Sequence, residues 1–403
     1  MRRHFTSRWF LLCAIVLLRA VLSDSVLAAS APSDSRLKLP DDPLEGRQLF
    51  ESRNCVQCHG ITGNAPGIGP DLGQTAFGGS FLDLGAALWN HVPGMSVSFE
   101  DAALPWPELS QTEVIELTSF LYFIEYLGQP GDAVTGKALF RTKGCQECHK
   151  LSGFGRRRAL GPDLSGLESF ASPLFVAQAI WNHGPEMFET IRSAGMAIPS
   201  FGEGDLADLS AYFRQATATG PAERALLAPG NPNQGRDLFQ SRGCALCHGK
   251  NATGGGDGPD LTRSDLHRSA ETIAGLMWNH ASAMSDMMKS RGVGWPRFST
   301  AELTDLIAYL YFLPFADRPG DPTRGEDAFT ARSCAECHGG GTAAAHEGPD
   351  LADTAASRSP AAFIAALWSH APVMKEAIVG EGKPWPELSG DDLRNLLAYL
   401  QTQ

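Results

Sequence analysis

Cys55-Val56-Gln57-Cys58-His59 is the first of four copies of one pentapeptide pattern in this chain. Two cysteines separated by two residues, with a histidine directly after them, return at 145–149, 244–248 and 334–338. The first cysteines of consecutive copies lie 90, 99 and 90 residues apart. Self-similarity at a nearly fixed interval indicates one structural unit that is repeated along the 403 residues.

This spacing is the attachment signature of c-type haem. Thiols one helical turn apart can each add to a porphyrin vinyl group, and the adjacent imidazole can then ligate the iron. One copy alone could be half of a zinc site or a redox dithiol. Four copies with similar flanks favour four covalently attached haem c groups. The predicted attachment cysteines are Cys55, Cys58, Cys145, Cys148, Cys244, Cys247, Cys334 and Cys337, and the predicted iron ligands are His59, His149, His248 and His338.

The flanks of the pentapeptide also recur. Each unit opens nine residues before its first cysteine with a glycine, and a phenylalanine follows one helical turn later, which predicts a short opening helix. After the histidine comes a glycine-rich loop that ends in Gly-Pro-Asp-Leu. We expect a carbonyl beside the fixed proline to accept the second N–H of the histidine, although a simple tight turn is the alternative. The four loops end at Leu72, Leu164, Leu261 and Leu351.

A further predicted helix in each unit ends in Trp-Asn-His, or Trp-Ser-His in unit 4, and a methionine follows four residues later. We expect Pro93, Pro185 and Pro372 to break the helix, so that the histidine and the methionine need not share one face. Three units continue with Trp-Pro and, three residues after that proline, a serine that would cap an apolar closing helix. No strand pattern is present, so the sequence predicts an all-α fold.

Taken in this order, the segments resemble class I cytochromes c. The resemblance implies four tandem helical domains, each around one covalent haem that carries single electrons. The predicted boundaries are 1–28 for a signal peptide, 29–40 for a linker, and 41–130, 131–228, 229–319 and 320–403 for cytochrome c domains 1 to 4.

The chain departs from this family pattern at the second axial ligand. The family usually places a methionine directly before the proline that precedes the closing helix. That place is held here by residues that cannot ligate iron, namely Trp106, Ile198, Trp295 and Trp385. The sixth position is therefore either open or filled from the preceding segment.

Each unit offers two candidates in that segment. The methionine thioether suits haem iron and raises its potential, whereas a histidine would give a bis-imidazole iron of lower potential. We predict the methionines as ligands and the histidines as helix-end caps or propionate partners. The methionines are Met95, Met187, Met284 and Met374, and the histidines are His91, His183, His280 and His370. Met196 is a competitor in unit 2, and Met287 and Met288 are competitors in unit 3.

The net charge and the N-terminal segment predict an acidic, exported protein. The formal charge of −12 argues against a nucleic-acid-binding protein and favours redox partner proteins with a basic docking surface. Arg2 and Arg3, the apolar run from Trp9 and the small residues near Ala28 indicate a secretory signal, and no later stretch is a transmembrane candidate. The mature chain is expected to be periplasmic or otherwise exported.

These observations favour an exported tetrahaem electron carrier rather than an enzyme. A haem whose two axial positions are filled can only pass electrons. The first alternative is a haem enzyme, such as a peroxidase or a sulfur-compound oxidoreductase, with one open-site haem in unit 2 or unit 3. The second alternative is the cytochrome subunit of a larger oxidoreductase complex.

Overall fold

Every unit is built from an opening, a central and a closing helix. The computed structural model describes residues 38–61, 67–75, 77–153, 160–166, 172–217, 229–263, 266–339, 348–351 and 354–403. The predicted signal peptide lies outside these residues. In the described residues the regular structure is helical, apart from one isolated bridge between Lys150 and Asp163, which confirms the all-α prediction.

The bounds of the helices show how closely the units correspond. The opening helices are Gly46–Ser52, Ala133–Thr142, Pro232–Ser241 and Pro322–Ala331. The central helices are Phe81–Asp101, Ala270–Ser290 and Pro360–Gly380 in units 1, 3 and 4, and the pair Pro173–Asn182 and Gly184–Ser193 in unit 2. The closing helices are Gln111–Phe123, Asp205–Thr217, Thr300–Phe312 and Gly390–Leu400. The pentapeptides form short turns of helix at Cys55–Gln57, Cys145–Cys148, Cys244–His248 and Cys334–His338.

The opening helix of each unit crosses its own closing helix at the glycine that the sequence repeats. A Cβ on Gly235 would lie 2.0 Å from the carbonyl oxygen of Asp305, so only glycine lets the two backbones approach this closely. The phenylalanine one turn later packs on an aromatic ring of the closing helix. The ring pairs are Phe50–Phe120, Phe140–Tyr212, Phe239–Tyr309 and Phe329–Tyr399.

Helix caps follow the sequence signals. Ser110, Ser299 and Ser389 are the N-caps of three closing helices, and each forms a full capping box with the acidic residue three positions later. These helices bury their apolar faces in the core, with Tyr122 and Tyr311 completely buried.

The central helices do not break where the sequence analysis placed the breaks. The helix of unit 1 runs through Pro93 to Asp101, and that of unit 4 runs through Pro372 to Gly380. Only unit 2 follows the prediction, with an interruption at His183 directly before Gly184 and Pro185. A proline in a helix removes one hydrogen bond, and the long helices of units 1 and 4 tolerate that loss because their buried faces hold them on the core.

The units pair in an order that differs from their order in the chain. Unit 1 packs on unit 4 through their central helices, and Gly85 permits this contact because a Cβ there would lie 2.4 Å from Ile364 Cδ1. Unit 2 packs on unit 3 in the same manner. The pairs meet where units 1 and 3 touch, at Phe81, whose N–H donates to the carbonyl of Phe315 over 2.9 Å.

Candidate functional site

The histidine of each pentapeptide is held by the Gly-Pro-Asp-Leu loop that follows it. His59 Nδ1 lies 3.1 Å from the carbonyl oxygen of Pro70. The equivalent contacts measure 3.0 Å for His149, 3.1 Å for His248 and 3.0 Å for His338. The predicted hydrogen bond is therefore present in all four units. It fixes the ring so that Nδ1 carries the proton and Nε2 keeps its lone pair for a metal.

Glycine in this loop is required by the position of the imidazole. A Cβ on Gly161 would lie 2.4 Å from His149 Cε1, and a Cβ on Gly69 would lie 2.6 Å from His59 Cε1. The amide of the same glycine donates to the carbonyl of the second cysteine, over 2.8 Å at Cys148 and 2.9 Å at Cys58. The loop is thus fastened to the pentapeptide on one side and to its histidine on the other.

A tight backbone turn leads into each pentapeptide. The residue directly before the first cysteine has a left-handed conformation in every unit, with φ of 66° at Asn54, 77° at Gly144, 87° at Gly243 and 62° at Ser333. Glycine and asparagine accept this conformation readily, whereas serine is strained in it.

The first cysteine of each pentapeptide is half-buried against the core. Burial raises the pKa of the Cys55, Cys145, Cys244 and Cys334 thiols to about 11. The neutral thiol is therefore the favoured form of these side chains in the folded protein. In the described residues no three histidine, cysteine or acidic side chains come together as a metal-ion site.

The donor set fits covalent haem. Each unit presents two thiols about one helical turn apart and, directly after the second, an oriented imidazole whose Nε2 keeps its lone pair, which is what attachment through two vinyl groups requires. The residues that would hold the group in unit 1 are Cys55, Cys58 and His59, and the same three residues recur in the other units.

Three of the four histidines that follow the tryptophans lie within a continuous helix. His91 Nδ1 lies 2.6 Å from the carbonyl oxygen of Ala87, and His280 and His370 make the same contact with Leu276 and Ala366. These three are not at helix ends, so the prediction that they cap the helix is wrong. His183 lies at the interruption of the central helix of unit 2 and makes no capping hydrogen bond with its side chain.

The four predicted methionine ligands occupy equivalent places. Because the central helices of units 1, 3 and 4 are continuous, the methionine lies one turn after the histidine on the same face. Each methionine is half-buried against the core, whereas the histidines are exposed (Met95, Met187, Met284 and Met374 against His91, His183, His280 and His370). The competitor Met196 lies against Gly144, since a Cβ there would be 2.9 Å from Met196 Cε. Methionine ligation stays a prediction.

The tryptophans join units, a role that the sequence analysis did not identify. Trp89 donates its indole N–H to the carbonyl of Pro386 in unit 4 over 2.7 Å. Trp385 donates back to the carbonyl of Trp89 over 3.2 Å, and the two rings stack with centroids 4.2 Å apart. Asn90 and the backbone of Leu388 exchange two hydrogen bonds of 2.8 and 2.9 Å. We call this arrangement of Trp-Asn in one unit and Trp-Pro in another a tryptophan joint.

The joint is reciprocal and occurs in both pairs of units. Trp368 of unit 4 donates to the carbonyl of Pro107 and stacks on Trp106 of unit 1, with centroids 4.4 Å apart. Between units 2 and 3, Trp181 and Trp295 stack at 4.4 Å. In the remaining joint Ile198 holds the place of the second tryptophan, so no indole is there to stack, and Trp278 donates to the carbonyl of Pro199 over 2.7 Å. These indole N–H groups are therefore bonded to the backbone of the opposite unit.

The chain matches one known family. The Cytochrome c family model matches residues 44–121, 233–313 and 322–403, which together are more than half of the chain. The chain therefore belongs to the cytochrome c family. Its members carry haem and transfer electrons, in agreement with the site geometry. No curated protein and no solved structure matches the chain. No helix in the described parts of the chain is long and apolar enough to cross a bilayer.

Proposed function

We propose that this protein is an exported tetrahaem c-type cytochrome that carries single electrons between redox partner proteins. The observation that carries this proposal is the fourfold recurrence of one site, in which an oriented imidazole stands beside two thiols on a short helix. Unit 2 has the same site although the family match does not extend over it.

When bound, haem supplies one-electron chemistry at its iron. The protein's part is to fix the imidazoles of His59, His149, His248 and His338 through the proline carbonyls. The half-buried methionines Met95, Met187, Met284 and Met374 are proposed to complete the iron coordination and to hold the potential high. The export proposal agrees with the predicted signal over residues 1–28. The formal charge of −12 supports partners with a basic docking surface.

The mass of the secreted, denatured protein tests this function. Covalent attachment at four places adds four haem masses to the processed polypeptide, and Cys145→Ser together with Cys148→Ser removes one of them. A polypeptide mass without any addition would overturn the proposal.

One observation favours a second candidate function. Unit 2 differs from the others in its interrupted central helix, in Ile198 at the Trp-Pro position and in lying outside the family match. If its haem lacks a sixth ligand, the protein is an enzyme in which the other units relay electrons. Carbon monoxide distinguishes the two functions, since it binds one reduced haem in four in the enzyme and none in the carrier. Unit 3, which the sequence analysis also considered, has the regular central helix of units 1 and 4.

A further inference from the structure

We propose that electrons move through this protein in the spatial order unit 4, unit 1, unit 3, unit 2, with the tryptophan joints as the bridges within each pair. This inference rests on the proposed function, because it concerns the path between the four haem-bearing units. It assigns the joints a role in electron transfer in addition to their role in packing.

The packing of the units defines the path. Central helices of units 1 and 4 pack on one another, and so do those of units 2 and 3. Within the described ranges, helix packing of this extent joins no other two units. Units 1 and 3 meet through aromatic side chains, and among the ion pairs of the described residues unit 4 reaches unit 3 through that of Arg394 with Asp317 at 3.1 Å. Electron tunnelling weakens steeply with distance and is faster through dense, bonded protein than across a gap. Spatial neighbours, and not neighbours in the chain, therefore exchange electrons first.

The tryptophan joints give each pair of units both stacked rings and hydrogen bonds. In the stack of Trp89 and Trp385 the centroids are 4.2 Å apart, and both indoles are bonded to backbone of the opposite unit. Trp89 is directly followed by Asn90 and His91 and shares its helix with Met95, the proposed iron ligand. The joint thus connects the proposed ligand segment of one unit to the opposite unit without a solvent layer.

A second aromatic cluster connects the pairs. The hydroxyl of Tyr122 in unit 1 donates to the carbonyl of Tyr311 in unit 3 over 3.4 Å, and Tyr311 donates in return to Tyr122. Their ring centroids are 5.0 Å apart, and Tyr126 and Phe123 pack on Tyr311 as well. Both tyrosines are fully buried. Units 1 and 3 are therefore the inner members of the path, and units 4 and 2 are its ends.

Each transfer moves one electron from a reduced to an oxidised iron centre, and no bond forms or breaks. A one-electron reductant protein supplies the electron and a one-electron oxidant removes it. The tryptophans keep their redox state throughout, because they act as the tunnelling medium.

Electron injection at unit 4 tests the order. A ruthenium photoreductant is attached to Gln403→Cys, at the exposed end of unit 4. A laser flash then reduces unit 4, and absorbance in the haem α-band follows how the electron spreads to the other units. Two variants each remove one haem and its ligand, and mass confirms three remaining haems. The unit 1 variant is Cys55→Ser, Cys58→Ser and His59→Ala, and the unit 3 variant is Cys244→Ser, Cys247→Ser and His248→Ala.

The two variants give opposite results for the two possible orders. If unit 1 is the neighbour of unit 4, the unit 1 variant loses the spreading phase, and the unit 3 variant keeps transfer from unit 4 to unit 1. Transfer along the chain order predicts the reverse. The reverse result, or the same result in both variants, overturns the proposal. If the protein carried no haem, the mass measurement would already show it before the flash experiment. That result would overturn the proposed function and not only the order of transfer.

Substitutions that leave all four haems in place give a second test. Trp385→Leu removes one stack between units 1 and 4, and we expect the spreading phase from unit 4 to slow several-fold. Trp295→Leu removes the equivalent stack between units 2 and 3 and should leave that first phase unchanged. Equal rates in both variants and the parent protein would show that the tryptophans serve packing alone.

Discussion

Unit 4 departs from the joint motif at Ser369, where the other units have asparagine, and this difference allows a sharp prediction about stability. Asn90 exchanges two hydrogen bonds with the backbone of Leu388, and Asn182 and Asn279 do the same with Phe298 and Phe201. Asn90→Ser shortens the side chain so that it no longer reaches both backbone groups. The variant gives unit 1 the serine that unit 4 has at Ser369.

The expected loss of unfolding free energy in Asn90→Ser follows from these two hydrogen bonds. A hydrogen bond contributes about 1 kcal/mol net to stability, so losing both costs about 2 kcal/mol. The groups are only part-buried, and water that replaces one partner reduces the loss to about 1 kcal/mol. Ser369→Asn should instead raise the free energy of unfolding. It supplies an amide that can bond to the backbone of Leu109, the residue that corresponds to Leu388 in this joint.

Denaturant unfolding of the haem-loaded protein, followed by circular dichroism, measures both variants. We expect Asn90→Ser to lower the midpoint and Ser369→Asn to raise it, with the dependence on denaturant unchanged. An unchanged midpoint in Asn90→Ser would refute the view that these bonds hold the pairs together. A lower midpoint in Ser369→Asn would show that the joint of Trp368 and Trp106 differs in geometry from the three joints that contain asparagine.

Three further predictions concern single side chains. Burial raises the pKa of Glu271, whose Oε2 has no hydrogen-bond partner, so this group makes the folded protein lose stability as the pH rises from the unfolded pKa of about 4.3 through the raised folded pKa. The free energy of unfolding, measured against pH, should therefore fall less in Glu271→Gln than in the parent protein, and an equal fall in both would contradict this. Ser333→Gly should stabilise the protein by about 1 kcal/mol in denaturant unfolding, because it relieves a left-handed serine, and a destabilised variant would contradict this reading. Gly161→Ala should displace the ring of His149 and weaken its hydrogen bond to the carbonyl of Pro162. Because the imidazole then donates less electron density to the iron, the reduction potential of one haem in four should rise, whereas an unaltered redox titration would count against the role of that contact.

Local features were predictable because they depend on a few neighbouring residues. The proline carbonyl that accepts from His59 and the serine cap at Ser110 both follow from short-range patterns. The continuity of the central helix through Pro93 was not predictable in this way. A proline disfavours the helix locally, and packing of its neighbours outweighs that preference.

The reciprocal bonds between Tyr122 and Tyr311 have the form of a twofold contact, in which each residue makes the same interaction with the other. They relate unit 1 to unit 3 and so relate the pair of units 1 and 4 to the pair of units 3 and 2. The intervals of 90, 99 and 90 residues between first cysteines are also symmetric about the middle of the chain, between units 2 and 3. The longer central interval separates units 1 and 2 from units 3 and 4, which are the two halves that the twofold contact relates. This correspondence is visible only from the contacts between units.

By itself, the sequence determined the helical class and the residues that would attach and ligate haem, because these depend on spacing within a dozen or so residues. It also determined the repeated unit, because the same short motif returns at nearly fixed intervals. Tertiary structure alone decided which units touch and what the tryptophans do. Trp89 and Trp385 are nearly 300 residues apart, and the same Trp-Asn and Trp-Pro motifs could have closed within one unit or between chain neighbours. The choice among these pairings depends on how helix faces fit together in three dimensions, which no local pattern records.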